Sequence, residues 1–92
     1  MADSQRLDKF LWFARIAKTR ALAQELAGQG RLRLNGRVID KAHTPVRPGD
    51  VLSFAQRGDV RVLKVEALPI RRGPPDQARA LYSELTSEAG QA

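Results

Sequence analysis

Arg6 to Gly36 reads RLDKFLWFARIAKTRALAQELAGQGRLRLNG, and the fold turns on the changes of hydrophobic period inside it. Leu7, Phe10, Leu11 and Ala14 keep the i, i+3, i+4, i+7 spacing of one helix face. Trp12, Phe13 and Ile16 fall elsewhere on the same helix, which is therefore either covered on two sides or left with an aromatic exposed for binding. Burial under another segment is the preferred reading for Trp12, ahead of base stacking. Asp8, early in the first turn, suits the helix dipole or a pairing with Arg15 or Arg20. This helix should fade near Ala17. Thr19, between Lys18 and Arg20, is then the N-cap of a second helix, its hydroxyl accepting a free backbone N–H. Leu22, Ala23, Leu26 and Ala27 give that helix a narrow apolar stripe, and Gly28-Gln29-Gly30 stops it, with Gly30 or Gly28 supplying the left-handed cap. Arg31-Leu32-Arg33-Leu34 switches to strict alternation, leucines on one face and arginines on the other. Asn35-Gly36 follows as a type I′ hairpin turn, because both central residues of that turn need positive φ.

Outward from this stretch, Met1 to Gln5 is a short loose lead-in. Arg37-Val38-Ile39 returns as the partner strand, and Asp40 to Val46 is a loop. Arg47-Pro48-Gly49-Asp50 is a turn with proline presetting φ. Val51 to Phe54 forms a third strand, Arg57-Gly58-Asp59 turns again, and Val60 to Leu68 is a longer strand. The alternation slips at Val62-Leu63, which predicts a bulge or a strand buried on both faces. Pro69 ends that strand. Arg71-Arg72-Gly73-Pro74-Pro75 is a basic, proline-stiffened connector, and Asp76 caps a last helix, Gln77 to Leu85, with Ala78, Leu81, Tyr82 and Leu85 on one face. That helix is a candidate cover for helix one around Trp12. Thr86 to Ala92 reads as a frayed tail. The expected organisation is a lead-in over 1–5, one binding domain over 6–68, a connector and helix over 69–86, and a tail over 87–92.

Ninety-two residues allow one modest core. The formal charge is +6. Residues 6–41 alone hold nine Lys or Arg against three acids (Asp8, Glu25 and Asp40), so the local excess equals that of the whole chain. Positive charge concentrated in this way is the footprint of a polyanion binder. With no cysteine, disulfides and thiolate metal sites are excluded. His43 is the single histidine and lies in a proline-bounded loop, so neither catalysis nor metal ligation is expected. Gly28 and Gly30 close a helix where a nucleotide-binding glycine loop would open one. A ubiquitin-like carrier lacks its terminal Gly-Gly here, and no helix combines a basic face with a large clean apolar one as membrane-surface binding requires. A membrane span is not expected, since charges interrupt the first helix every few residues. The expectation is a cytoplasmic monomer, not an enzyme, without cofactor.

Arginine grips phosphate through two donors or stacks on a base, and phosphate contacts set affinity without reading sequence. The start of helix two adds free N–H groups beside Lys18 and Arg20, and Arg33 is expected to extend the same surface from the hairpin. Arg57, Arg61 and Arg79 read as scattered solvated charges.

The run from Arg6 to Gly36 resembles the αL RNA-binding motif shared by the fourth small-subunit ribosomal protein, several pseudouridine synthases and bacterial tyrosyl-tRNA synthetases. Within that superfamily RLDKFLW, KTRA and the later IRRGPPDQARALYSEL are similar to the small ribosome-associated heat-shock branch, over roughly residues 6–86. The resemblance implies an α+β fold: two N-terminal helices packed on a small, mostly antiparallel sheet, with a short C-terminal helix. It implies that Arg6, Lys9, Arg15, Lys18, Thr19, Arg20, Arg31 and Asn35 line or shape the RNA-facing surface. It also implies ribosomal RNA of the large subunit as partner, in the rescue of stalled subunits. A general binder of single-stranded or duplex nucleic acid, DNA included, is the alternative. Longer members of the branch carry a basic extension after the position of Ser87, which these 92 residues do not include.

Overall fold

The computed structural model describes residues 4–56 and 58–85. A short strand β1 (Gln5–Arg6) leads into helix α1 (Leu7–Phe13), and α2 (Arg20–Gly28) follows. Strands β2 (Leu32–Leu34), β3 (Arg37–Ile39), β4 (Pro45–Val46), β5 (Val51–Gln56) and β6 (Asp59–Val65) come next, then α3 (Pro75–Arg79) and β7 (Tyr82–Glu84). Five strands form one antiparallel sheet in the order β3-β2-β5-β6-β7, and β1 pairs with β4 in a separate two-stranded ribbon. This is the α+β architecture anticipated, helices on a small antiparallel sheet.

The period change in the opening stretch decides which side chains meet. Leu7, Phe10 and Leu11 from α1, Ala14 at its C-cap, and Ala23 and Ala27 from α2 are buried together with Leu32, Leu52, Phe54, Leu63 and Val65 from the sheet. The two alanines, both fully buried, let α2 lie close against its neighbours, whereas Leu22 is half exposed. The alternation of β2 holds, with Leu32 at 0% exposure on the helix side and Arg33 exposed on the other. Asn35 and Gly36 have φ of 53° and 85°, the two positive values of a type I′ turn, with Leu34 facing Arg37 across it. Thr19 caps α2 as expected, its Oγ1 accepting from Leu22 N–H at 3.0 Å, and Gly30 (φ 72°) takes the left-handed position beyond the helix.

Several expectations are corrected. Helix α1 stops at Phe13, about a turn before Ala17, because the chain closes it with a left-handed residue at Arg15. Gln5 is not loose: it pairs with Val46, and its side-chain amide donates to the Pro69 carbonyl at 2.7 Å. Pro45–Val46, read as loop, is the other half of that ribbon. Strand β6 carries no bulge, since its pairing with β5 is continuous from Lys64 to Asp59. Leu63 points to the core and Val62 lies half-buried on the outer face. The last helix is half the expected length. It starts on Pro74 with no side-chain cap, so Asp76 is a first-turn acid and not the cap. Residues 82–84 instead pair with β6, whose edge would otherwise present unpaired backbone groups. Arg57 and the Thr86–Ala92 tail lie outside the described residues.

Candidate nucleic-acid interface

The end of α1 fixes the site. Arg15 N–H donates to the Trp12 carbonyl at 3.1 Å and Ile16 N–H to the Leu11 carbonyl at 2.9 Å. With Arg15 at φ 60°, these are the two bonds of a Schellman motif whose left-handed residue, usually glycine, is an arginine. Ile16 and Leu11 are both buried and supply the apolar contact that accompanies the motif. The reversed chain sends Lys18, Thr19 and Arg20 back past α1, with all three exposed.

On the outer side of α1, Lys9, Trp12 and Phe13 fall at i, i+3 and i+4 and share one face. The Trp12 and Phe13 rings lie 5.4 Å apart, and Lys9 Nζ stands 5.8 Å from the Phe13 ring centre. Two guanidiniums converge on the indole: Arg20 at 5.7 Å and Arg72 at 5.5 Å from its centre. Arg72 is held there by its Nε, which donates to the Trp12 carbonyl at 3.1 Å. Arg15 Nε likewise donates to the Gly73 carbonyl at 2.6 Å. The connector, not α3, therefore covers this side of α1, and Trp12 is only partly buried between cations.

An open groove of about 540 Å³ runs from this corner between α2 and the end of the β5–β6 hairpin. Arg15, Lys18 and Arg31 stand along it with Glu25, Gln56 and Arg61. Arg61 is bound by the Glu84 carboxylate through two hydrogen bonds of 2.8 and 3.2 Å, which raises its pKa despite partial burial, so its charge is spent on the fold.

The remaining residues named from the sequence are dispersed. Arg6 lies at the opposite end of α1, where it grips the fully buried Asp8 through two bonds of 3.0 and 3.1 Å. Asp8 thus pairs with Arg6, and neither Arg15 nor Arg20 is its partner; its carboxylate also accepts from Lys9 N–H at 2.8 Å. Asn35 is consumed structurally: its Oδ1 accepts from Val51 N–H at 2.9 Å and its Nδ2 donates to Asp50 at 3.0 Å. Thr19 is consumed by its cap. Arg33, expected to extend the helix corner, projects from the face of the sheet away from the helices. The structure thus gathers Lys9, Arg15, Lys18, Arg20 and Arg31 and leaves Arg6 and Arg33 apart. Arg72 was absent from the sequence-derived set. Its signal was the pairing of a basic, proline-stiffened connector with a first helix apolar on two sides.

Among the described residues no cluster of His, Cys, Asp or Glu has the make-up of a metal site, and no helix is long and apolar enough to cross a membrane. Residues 5–52 match the S4 domain family, just over half of the chain. Heat shock protein 15 of Escherichia coli K12 is 40% identical over 79 residues, 86% of this chain and 59% of that protein. The chain thus spans under two thirds of that relative's length. The RQC P-site tRNA stabilizing factor of Listeria innocua is 36% identical over 88 residues, covering 96% of this chain and 94% of that one. A trimeric structure of Vibrio cholerae Heat Shock Protein 15 superposes with a TM-score of 0.85 at 31% identity, over 96% of this chain and 88% of that one. Fold, motif and relatives agree: this chain belongs to the S4-domain family of RNA-binding modules.

Proposed function

We propose that this chain is a non-enzymatic RNA-binding protein that docks on ribosomal RNA of the large subunit through the corner between α1 and α2 and the groove beside it. One observation carries the reading. The ion pairs of the described residues are Arg6–Asp8 and Arg61–Glu84, so Lys9, Arg15, Lys18, Arg20 and Arg31 form no ion pair with a carboxylate among the described residues. Placing like charges together without partners costs the folded state, and a polyanion returns that cost on binding. One relative is named for stabilising a P-site tRNA, which fits a protein working on ribosomal complexes, and another for heat shock. Docking of this kind places the protein in the cytoplasm and requires no cofactor.

The test is sedimentation of the native chain with ribosomal subunits, followed by titration of large-subunit RNA fragments and duplex DNA at rising salt. Co-migration with the large subunit and RNA binding that outlasts DNA binding are the expected results. Equal affinity for both polymers leaves only a general nucleic-acid binder, and migration as free protein refutes the docking. We take the chain as a monomer in this role; gel filtration separates that from the trimer described for the Vibrio cholerae relative.

A further inference from the structure

The connector lies outside residues 5–52, the part of the chain that matches the S4 domain, yet it is stitched at three points to α1 and the residues flanking it. Gln5 holds the Pro69 carbonyl, Arg72 holds the Trp12 carbonyl, and Arg15 holds the Gly73 carbonyl. The outcome is that Arg72 and Arg20, from segments 52 positions apart in sequence, stand over one indole, separated by no more than the sum of their distances to it. Neither meets a carboxylate among the described residues.

We infer that Arg20 and Arg72, spaced by Trp12, form a phosphate-binding subsite that takes one phosphodiester of the RNA backbone. This rests on the RNA-binding reading above and adds to it a contact made by the connector. The chemistry follows from how the guanidiniums are held. Cation–π attraction to an aromatic face restrains a guanidinium without using up its N–H donors, so less side-chain entropy is lost when phosphate arrives. Arg72 spends its Nε on a backbone carbonyl, and one terminal nitrogen makes only a long 3.4 Å approach to the Lys18 carbonyl. Its outer edge remains available, as does the whole fork of the exposed Arg20. One fork held by a backbone bond and one free fork over the same ring can both donate to a tetrahedral anion, which a lysine at either position cannot grip through two donors. Ile70 and Arg71, both exposed in the same connector, would then lie beside the bound strand.

Trp12 is the single tryptophan of the chain, so its emission reports directly on this subsite. The experiment titrates a short single-stranded oligoribonucleotide, labelled outside the tryptophan window, into the full chain. Label anisotropy reads binding anywhere on the protein, while Trp12 emission reads occupancy between the two arginines. The parent is expected to show both responses with one midpoint. Arg72→Lys and Arg20→Lys keep the net charge but lose the fork, and each should weaken binding roughly tenfold and shrink the Trp12 response. Arg31→Ala should weaken binding yet leave the Trp12 response intact at saturation. Arg20→Lys alters no hydrogen bond among the described residues, so it keeps the test valid should Arg72→Lys loosen the connector. Normal anisotropy with an unmoved Trp12, or parental affinity in both lysine variants, overturns the subsite while the RNA-binding reading stands. No anisotropy change with the parent chain overturns both.

Discussion

Replacing Arg15 separates what the fold wants at that position from what the surface wants. The backbone there has φ 60°, a conformation that costs a non-glycine residue about 1–2 kcal/mol. Arg15→Gly removes that strain. It also frees the unfolded chain, at a cost of about 0.4–1 kcal/mol, and loses the exposed bond to the Gly73 carbonyl, worth about 0.5–1.5 kcal/mol. These terms nearly cancel, so the glycine variant should lie within about 1 kcal/mol of the parent. Arg15→Ala keeps the strain and loses the same bond, so it should be less stable than the glycine variant by about 0.5–1.5 kcal/mol. At this chain length 1 kcal/mol shifts the melting point by roughly 4–8 °C, which thermal melts followed by circular dichroism separate readily. RNA titrations on the same samples should show both variants binding several-fold more weakly. An alanine variant that melts with or above the glycine variant refutes the left-handed cap. Two variants that bind like the parent remove Arg15 from the surface.

Three further outcomes are expected. If about six phosphates are contacted, the logarithm of affinity should fall with the logarithm of salt at a slope of roughly −4 for single-stranded RNA; a flat dependence measured by anisotropy contradicts the electrostatic reading. Asn35→Ala breaks the link between the hairpin turn and the Val51–Asp50 corner, and should cost about 1–3 kcal/mol in denaturant melts while RNA affinity of the folded protein is unchanged. Leu32→Ala should cost about 2–5 kcal/mol through a core cavity, whereas Arg33→Ala, one residue on and on the opposite face, should leave the melting point where it is. A loss of RNA affinity in Arg33→Ala would show that the outer sheet face takes part in binding after all.

What could be read from the sequence divides by the range of the interaction. Thr19, Gly30, Leu32 and Asn35-Gly36 were legible because a cap, a left-handed stop, an alternating pair and a hairpin turn are each settled within a few residues. The end of α1 was not, because the rule that places glycine in the left-handed slot gives no warning of an arginine there. Strand β7 was hidden for another reason. Ala78, Leu81, Tyr82 and Leu85 satisfy a helical period, and only the open edge of β6, far away in sequence, makes pairing the better use of residues 82–84. Asp8 shows the same limit on the electrostatic side: the sequence offered Arg15 or Arg20 as partner, and the β1 backbone gave the bond to Arg6 instead.

The site follows the same division, and this bears on how its residues should be ranked. A polar residue on the family's RNA-facing stretch can be there to build the surface or to touch the ligand, and the hydrogen bonds distinguish the two. Thr19 and Asn35 have their side-chain oxygens occupied by backbone N–H groups, and Arg6 has both ends of its fork on a buried carboxylate. Removing any of these changes the shape first and the affinity second. Lys18, Arg20 and Arg31 have no such engagement with an acid among the described residues, so their removal should act on affinity first. Arg15 and Arg72 belong to both groups, each spending one N–H on the backbone of the segment opposite while keeping its charge for a ligand. Through those two bonds the connector is held against α1, and RNA bound across the corner would tighten them, since both arginines lose freedom together. Hydrogen exchange at the amides of residues 70–73 should therefore slow on RNA binding in the parent chain and not in Arg15→Gly, whereas protection unchanged by RNA would mean that the connector is a passive strap.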